Sequence, residues 1–95
     1  MDELFEWDPS KATRNFEKHS VAFEEATTVF GDPFAITIFD PKHSHSENRM
    51  ITTGYSSLDR QLSVAHTDRG DKIRIISARQ ATPAERKNYE RDRRR

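Results

Sequence analysis

The sequence predicts an α+β fold. Two N-terminal helices pack on an antiparallel sheet, a four-strand meander joined by an N-terminal strand, and a helix closes the chain. Three observations predict this. Apolar residues recur at three- and four-residue spacing up to residue 30, then alternate. Strand-like runs follow one another with only turn-forming residues between them. A capping box then opens a charged C-terminal segment. With 95 residues, one domain over 1–95 is expected, residues 91–95 forming a frayed basic tail.

Taken in order, "ELFEW" (3–7) reads as a short opening strand. In "DPSKATRNFEKHS", Asp8 is the N-cap and Pro9 takes the first helical position, where its missing N–H costs nothing. Phe16, with Ala12 or the stem of Lys11 a turn earlier, is expected to face the core. Lys18 and His19 fall in the last turn, where cations suit the helix dipole. In "SVAFEEATTVFGD", Ala22, Ala26, Val29 and Phe30 mark a second helix, with Gly31 as its stop and Pro33 just beyond.

"FAITIF" (34–39) is β-rich, and "DPKHSHSEN" (40–48) is a loop. "RMITTGYSS" (49–57), "QLSVAHT" (61–67) and "KIRIISAR" (72–79) are alternating strands. A tight "LDR" joins the first two, and a "DRGD" turn with Gly70 at positive φ joins the last two. Thr82, Pro83 and Glu85 set up the capping box of the final helix.

Composition narrows the chemistry. The chain has no cysteine, which excludes disulfides and thiolate ligands or nucleophiles. Its acidic N-terminus predicts no secretory leader, no apolar run is long enough to span a membrane, and a cytoplasmic location is expected. The net charge is zero but uneven: residues 1–32 carry eight acids and three bases, residues 33–95 eight acids and thirteen bases. That asymmetry suits a polyanion-facing part or, equally, two solvated faces.

Arginines inside the last strand raise the sharpest question. Arg74 faces away from Ile73 and Ile75, but Arg79 shares their parity unless a bulge re-aims it. Such guanidinium forks suit phosphate, although Asp32, Glu47 or Glu85 could pair with them instead. His66 ends its strand where a proton-transfer group could sit, and Glu47 is a second candidate base or an arginine partner. His43, His45 and Glu47 share a side only if their loop is extended, and no fuller ligand set accompanies them, so no metal and no cofactor are expected. Without a phosphate loop, nucleophile elbow or zincin motif, the chemistry must be simple. RNA cleavage qualifies, because the 2′-OH is an internal nucleophile and the protein need only orient it, move protons and stabilise phosphate charge. The alternative is a nucleic-acid- or partner-binding subunit of a repressor complex, without turnover.

"FEWDPSKATRNFEKHSVAFEEATTVFGDP", "ENRMITTGYSS" and "RQLSVAHTDRGDKIRIISARQATPAERKNYE" together resemble the BrnT-type toxins of bacterial type II toxin–antitoxin modules, over about residues 5–90. The resemblance implies a RelE-like ribonuclease fold with an RNA cleft on the sheet face opposite the helices, and RNA cleavage that blocks translation. It further implies a cognate BrnA-type ribbon-helix-helix antitoxin, in a heterotetramer or larger complex, through which operator DNA is contacted indirectly. Carried onto this chain, the cleft positions are Arg60, His66, Arg69, Arg74 and Arg79, with Lys18, His19, Glu47 and Tyr89 nearby. In that scheme His66 or Glu47 takes the 2′-OH proton, Arg74 and Arg79 neutralise the phosphate, and the others hold RNA.

Overall fold

The computed structural model describes residues 3–40, 42 and 48–93. The expected order appears: β1 (Phe5–Glu6), α1 (Pro9–His19), α2 (Phe23–Thr28), a 3-10 turn (Val29–Gly31), β2 (Ile36–Phe39), β3 (Arg49–Tyr55), β4 (Gln61–Arg69), β5 (Lys72–Gln80) and α3 (Pro83–Arg93). The strands form one sheet in the order β1-β5-β4-β3-β2. The meander is antiparallel, but β1 runs parallel to β5, so the sheet is mixed rather than wholly antiparallel. None of the described helices is long and apolar enough to cross a membrane.

Local chemistry explains the elements. The Asp8 carboxylate accepts from the Ser10 N–H at 2.8 Å, capping α1. Ser20 ends it in the left-handed region (φ 57°), donating its N–H to the Phe16 carbonyl. The second helix is shorter than its periodicity predicts, because the chain tightens to a 3-10 turn at Val29. β4 runs on to Arg69, which leaves only Gly70 and Asp71 as the hairpin turn. Gly70 has φ 66°, the positive value such a turn needs at its first central position. Thr82 accepts from the Glu85 N–H, and Glu85 accepts from the Thr82 N–H, completing the capping box.

The core lies between α1, α2 and the face of the sheet they cover, here called the inner face. Phe5, Val21, Phe23, Ala26, Val29, Leu62, Val64, Ile75 and Ala78 fill it, with Ala12 and Phe30 packed against them. Phe16 does not join them and is 55% exposed. Asn15 points inward in its place, donating to the Val21 and Ala78 carbonyls at 2.9 Å and accepting from the Ala78 N–H. Three hydrogen bonds compensate its burial and fix α1 on β5.

Gly54 marks the closest packing. A Cβ there would lie 3.0 Å from Ala35 Cβ and 3.0 Å from Asp32 Oδ2. That absence lets Asp32 reach three donors: the Phe34 N–H (2.9 Å), the Tyr55 N–H (2.8 Å) and the Tyr89 hydroxyl (2.8 Å). Through Tyr89, which also packs edge-on against Tyr55, α3 is tied to β3 on the side of the sheet away from α1 and α2, the outer face.

Candidate active site

A β-bulge decides where the arginines point. Ala65 pairs with Ser77, but His66 pairs with Ile75, so Ile76 is an extra residue on β5. Before the bulge Ile73 and Ile75 face the core; after it Ala78 does. Arg79 is thereby turned to the outer face, which Arg74 already shares. The adjacent isoleucines Ile75 and Ile76, which break the strand's alternation, are the sequence signal for it.

The register extends this row. Arg69 and Lys72 lie opposite each other at the end of the hairpin, Arg74 opposite Thr67, and Arg49 opposite Thr67 across β3. By parity all these positions face outward with Arg79, so that among the described strand residues Arg49, Arg69, Lys72, Arg74 and Arg79 share the outer face.

Arg79 and Arg74 each sit on a carboxylate. Arg79 makes a bidentate pair with Glu85 (2.7 and 3.0 Å), the arrangement anticipated for it. Arg74 donates to Glu6 Oε2 at 2.9 Å, a partner that sequence reasoning missed because the parallel pairing of β1 with β5 was not legible. The arginines are also drawn apart rather than gathered in one hollow. Their Cα atoms are roughly 15 Å apart along the strand, one held toward β1 and the other toward α3.

Glu85 belongs to a chain of polar groups. The Thr53 hydroxyl meets Ser63 Oγ at 2.7 Å, and Ser63 donates to Glu85 Oε1 at 2.8 Å. Burial pushes the Glu85 carboxyl up, but the bonds from Arg79, Thr82 and Ser63 outweigh it and hold it down at about 2. A carboxylate so acidic is a poor proton acceptor near neutrality; its role is to orient Arg79. Because its folded value lies below the ordinary 4.5, its stabilisation is complete above pH 4.5 and fades as pH falls toward 2. We expect Glu85 to account for about 2 kcal/mol of the stability the wild-type protein loses across that window, after allowing for the partly exposed Arg79. A Glu85→Gln variant should lose less, as read by urea titrations at each pH.

The remaining sequence candidates lie elsewhere. His66 is buried on the inner face, edge-on to Phe30 (4.9 Å between centroids), with Nε2 2.7 Å from the Thr52 hydroxyl. Burial holds it below its usual range, Asp68 only partly opposing, so it is neutral near pH 7. The sheet separates it from the arginines, and it is not placed to act with them. Arg60 also points away, binding Glu25 and the Ser20 carbonyl, so that it fastens the β3–β4 turn to both helices. Lys18 and His19 sit on the last turn of α1, on the helical side of the sheet. Tyr89 is buried; burial and then Asp32 push its hydroxyl up to about 12. Glu47, His43 and His45 lie outside the described residues. Among those described, no cluster of three or more His, Cys, Asp or Glu could hold a metal ion.

Residues 7–85 match the model of a family described as "Ribonuclease toxin, BrnT, of type II toxin-antitoxin system". Among solved structures, the chain is similar to the Brucella abortus ribonuclease toxin, BrnT, with a TM-score of 0.58 and 20% identity over 80% of this chain and 92% of that one. At that identity the likeness carries the fold. No curated protein matches the chain.

Proposed function

Since this chain belongs to the BrnT family of ribonuclease toxins of type II toxin–antitoxin systems, we propose that it cleaves RNA on the outer sheet face, without a metal, and so inhibits translation until its antitoxin binds. The observation that carries this is the bulge at Ile76, which sets Arg79 on the same face as Arg74 and the bases around it. Arg69, Lys72 and Arg49 then follow the RNA backbone, while Arg74 and Arg79 neutralise phosphates, Arg79 in an orientation fixed by Glu85.

A carboxylate takes the proton from the 2′-OH. Glu6 is partly exposed and already hydrogen-bonded to Arg74, so base and phosphate ligand stand together. Glu47, two residues before Arg49 in the chain, is the other candidate. The freed alkoxide attacks the adjacent phosphorus, the P–O5′ bond breaks, the 5′-oxygen takes a proton from solvent, and a 2′,3′-cyclic phosphate remains, the carboxylate later returning its proton to solvent. Because the nucleophile is internal to the substrate, this route needs no activated water.

Purified protein incubated with total RNA in EDTA is expected to produce fragments ending in cyclic phosphate. Fragments ending in 3′-hydroxyl, or cleavage that EDTA abolishes, would contradict the mechanism. The ready-made pairing of Arg74 and Arg79 with carboxylates favours a second reading, RNA or operator-complex binding without turnover. Salt-sensitive binding with RNA left intact after long incubation would support it.

A further inference from the structure

We propose that the open edge of β2, with the groove between it and α3, is where an extended apolar and acidic segment of the antitoxin docks, adding a strand to the sheet. This rests on the toxin–antitoxin reading above and names the surface by which it is regulated.

β2 is the last strand of the sheet, and among the described residues no strand lies beyond it. The Asp40 N–H donates to the Arg49 carbonyl at 2.9 Å. Antiparallel bonding alternates, so Ile36, Ile38 and Asp40 point their main-chain groups at β3, and Thr37 and Phe39 point theirs at the open edge. Natural edges are usually guarded by charge, proline or brevity. Here residues 36–39 are Ile-Thr-Ile-Phe, with Ile38 52% and Phe39 66% exposed. The other edge, β1, is only two residues long.

A groove of about 470 Å³ runs beside this edge, walled by Ala35–Ile38 and by Asn88, Arg91 and Asp92 of α3. Arg93 lies over the Phe34 ring nearby, 4.9 Å from its centroid. The edge offers main-chain pairing and apolar contacts; the helix rim offers guanidinium groups, with Asp92 the one acid among the described residues that line the groove. A strand with alternating apolar side chains and flanking carboxylates complements both. A second copy of this chain fits less well, because joining two β2 edges would bring the Arg91 and Arg93 of both copies to one seam.

The test pairs the full chain with the antitoxin encoded beside it. The wild-type complex should form and its ribonuclease activity should be silenced, with the Thr37 and Phe39 amides exchanging at least tenfold more slowly than in the free protein. Phe39→Pro removes an outward donor without touching the β2–β3 ladder, and Ile38→Lys places charge on the exposed edge. Each should weaken the complex at least tenfold while leaving RNA cleavage intact. Unaltered amide exchange in the complex, or variants that bind as wild type does, would overturn the docking surface. Failure of the wild-type chain to bind would instead sink the toxin–antitoxin reading, and this proposal with it. Loss of binding through self-association of the free chain, seen by light scattering, would assign the edge to a dimer and also overturn it.

Discussion

Arg74→Ala should lower RNA cleavage by about a hundredfold or more, the scale seen when one group stabilising transition-state charge is lost, while thermal stability hardly changes. The asymmetry follows from exposure. Arg74 and Glu6 are both partly solvated, so an unpaired Glu6 is rehydrated at little cost and the pair contributes at most a few tenths to about 1 kcal/mol. Arg79→Ala, which removes the ligand of a neighbouring phosphate, should lower cleavage less than Arg74→Ala but also cost stability, because Glu85 is more enclosed and would lose both bonds of the bidentate pair. Combining Arg79→Ala with Glu85→Gln separates the two roles: the melting temperature should recover and cleavage should not. If single-turnover cleavage survives in both Arg74→Ala and Arg79→Ala, the outer-face arginines have no part in the chemistry.

The same arginines show how far the sequence could be read. Alternation located the strands and placed Arg74 opposite the isoleucines, since parity is a local property of an extended chain. Arg79 was undecidable, because one inserted residue inverts parity and only the neighbouring isoleucines hint at it. Bulging costs ladder hydrogen bonds, so local propensity argues against it. Here Asn15 meets both main-chain groups of Ala78 just beyond the bulge, a contact between residues 63 apart in sequence. The burial of His66 was hidden for a related reason. Its strand position was legible, but its neighbours on the inner face, Phe30 and Thr52, come from other elements and bury it.

Glu6 and Phe16 illustrate two further limits. A two-residue strand has too little pattern to announce a partner, and parallel pairing with a strand 68 residues away leaves no turn signal, so the Arg74 carboxylate was invisible. Phe16 followed helical spacing, yet a polar residue beside it won the inward place. An amide that satisfies three main-chain partners there outweighs the gain from burying a ring whose position turns it away from the sheet. By contrast, the capping box at Thr82 and Glu85 was readable in full, because it involves only neighbours in the chain.

Asp32 connects stability to the proposed site, and Asp32→Ala should be the most destabilising of these substitutions. Removing the carboxylate strands the Phe34 and Tyr55 N–H groups and the Tyr89 hydroxyl at once. At about 1 kcal/mol or more for each donor, a loss of about 3 kcal/mol is expected, lowering Tm by roughly 12–24 °C for a domain of this size. Tyr89→Phe removes one donor and leaves the other two bonds in place, so about 1 kcal/mol should go. Proton linkage adds a signature at each end of the pH scale. Burial pushes Asp32 up, but bonds from Tyr55, Phe34 and Tyr89 outweigh it and hold it below its ordinary 3.8. Its stabilisation is therefore complete above that pH and fades in stronger acid. Tyr89 is raised from 10 to about 12, so stability should fall as pH rises from 10 toward 12. Tyr89→Phe should abolish that alkaline fall. Because Tyr89 and Glu85 share α3, loosening the helix also frees the carboxylate that orients Arg79; Asp32→Ala should lose cleavage activity at temperatures well below its own Tm. Activity that persists undiminished up to global unfolding would show that α3 does not position Arg79.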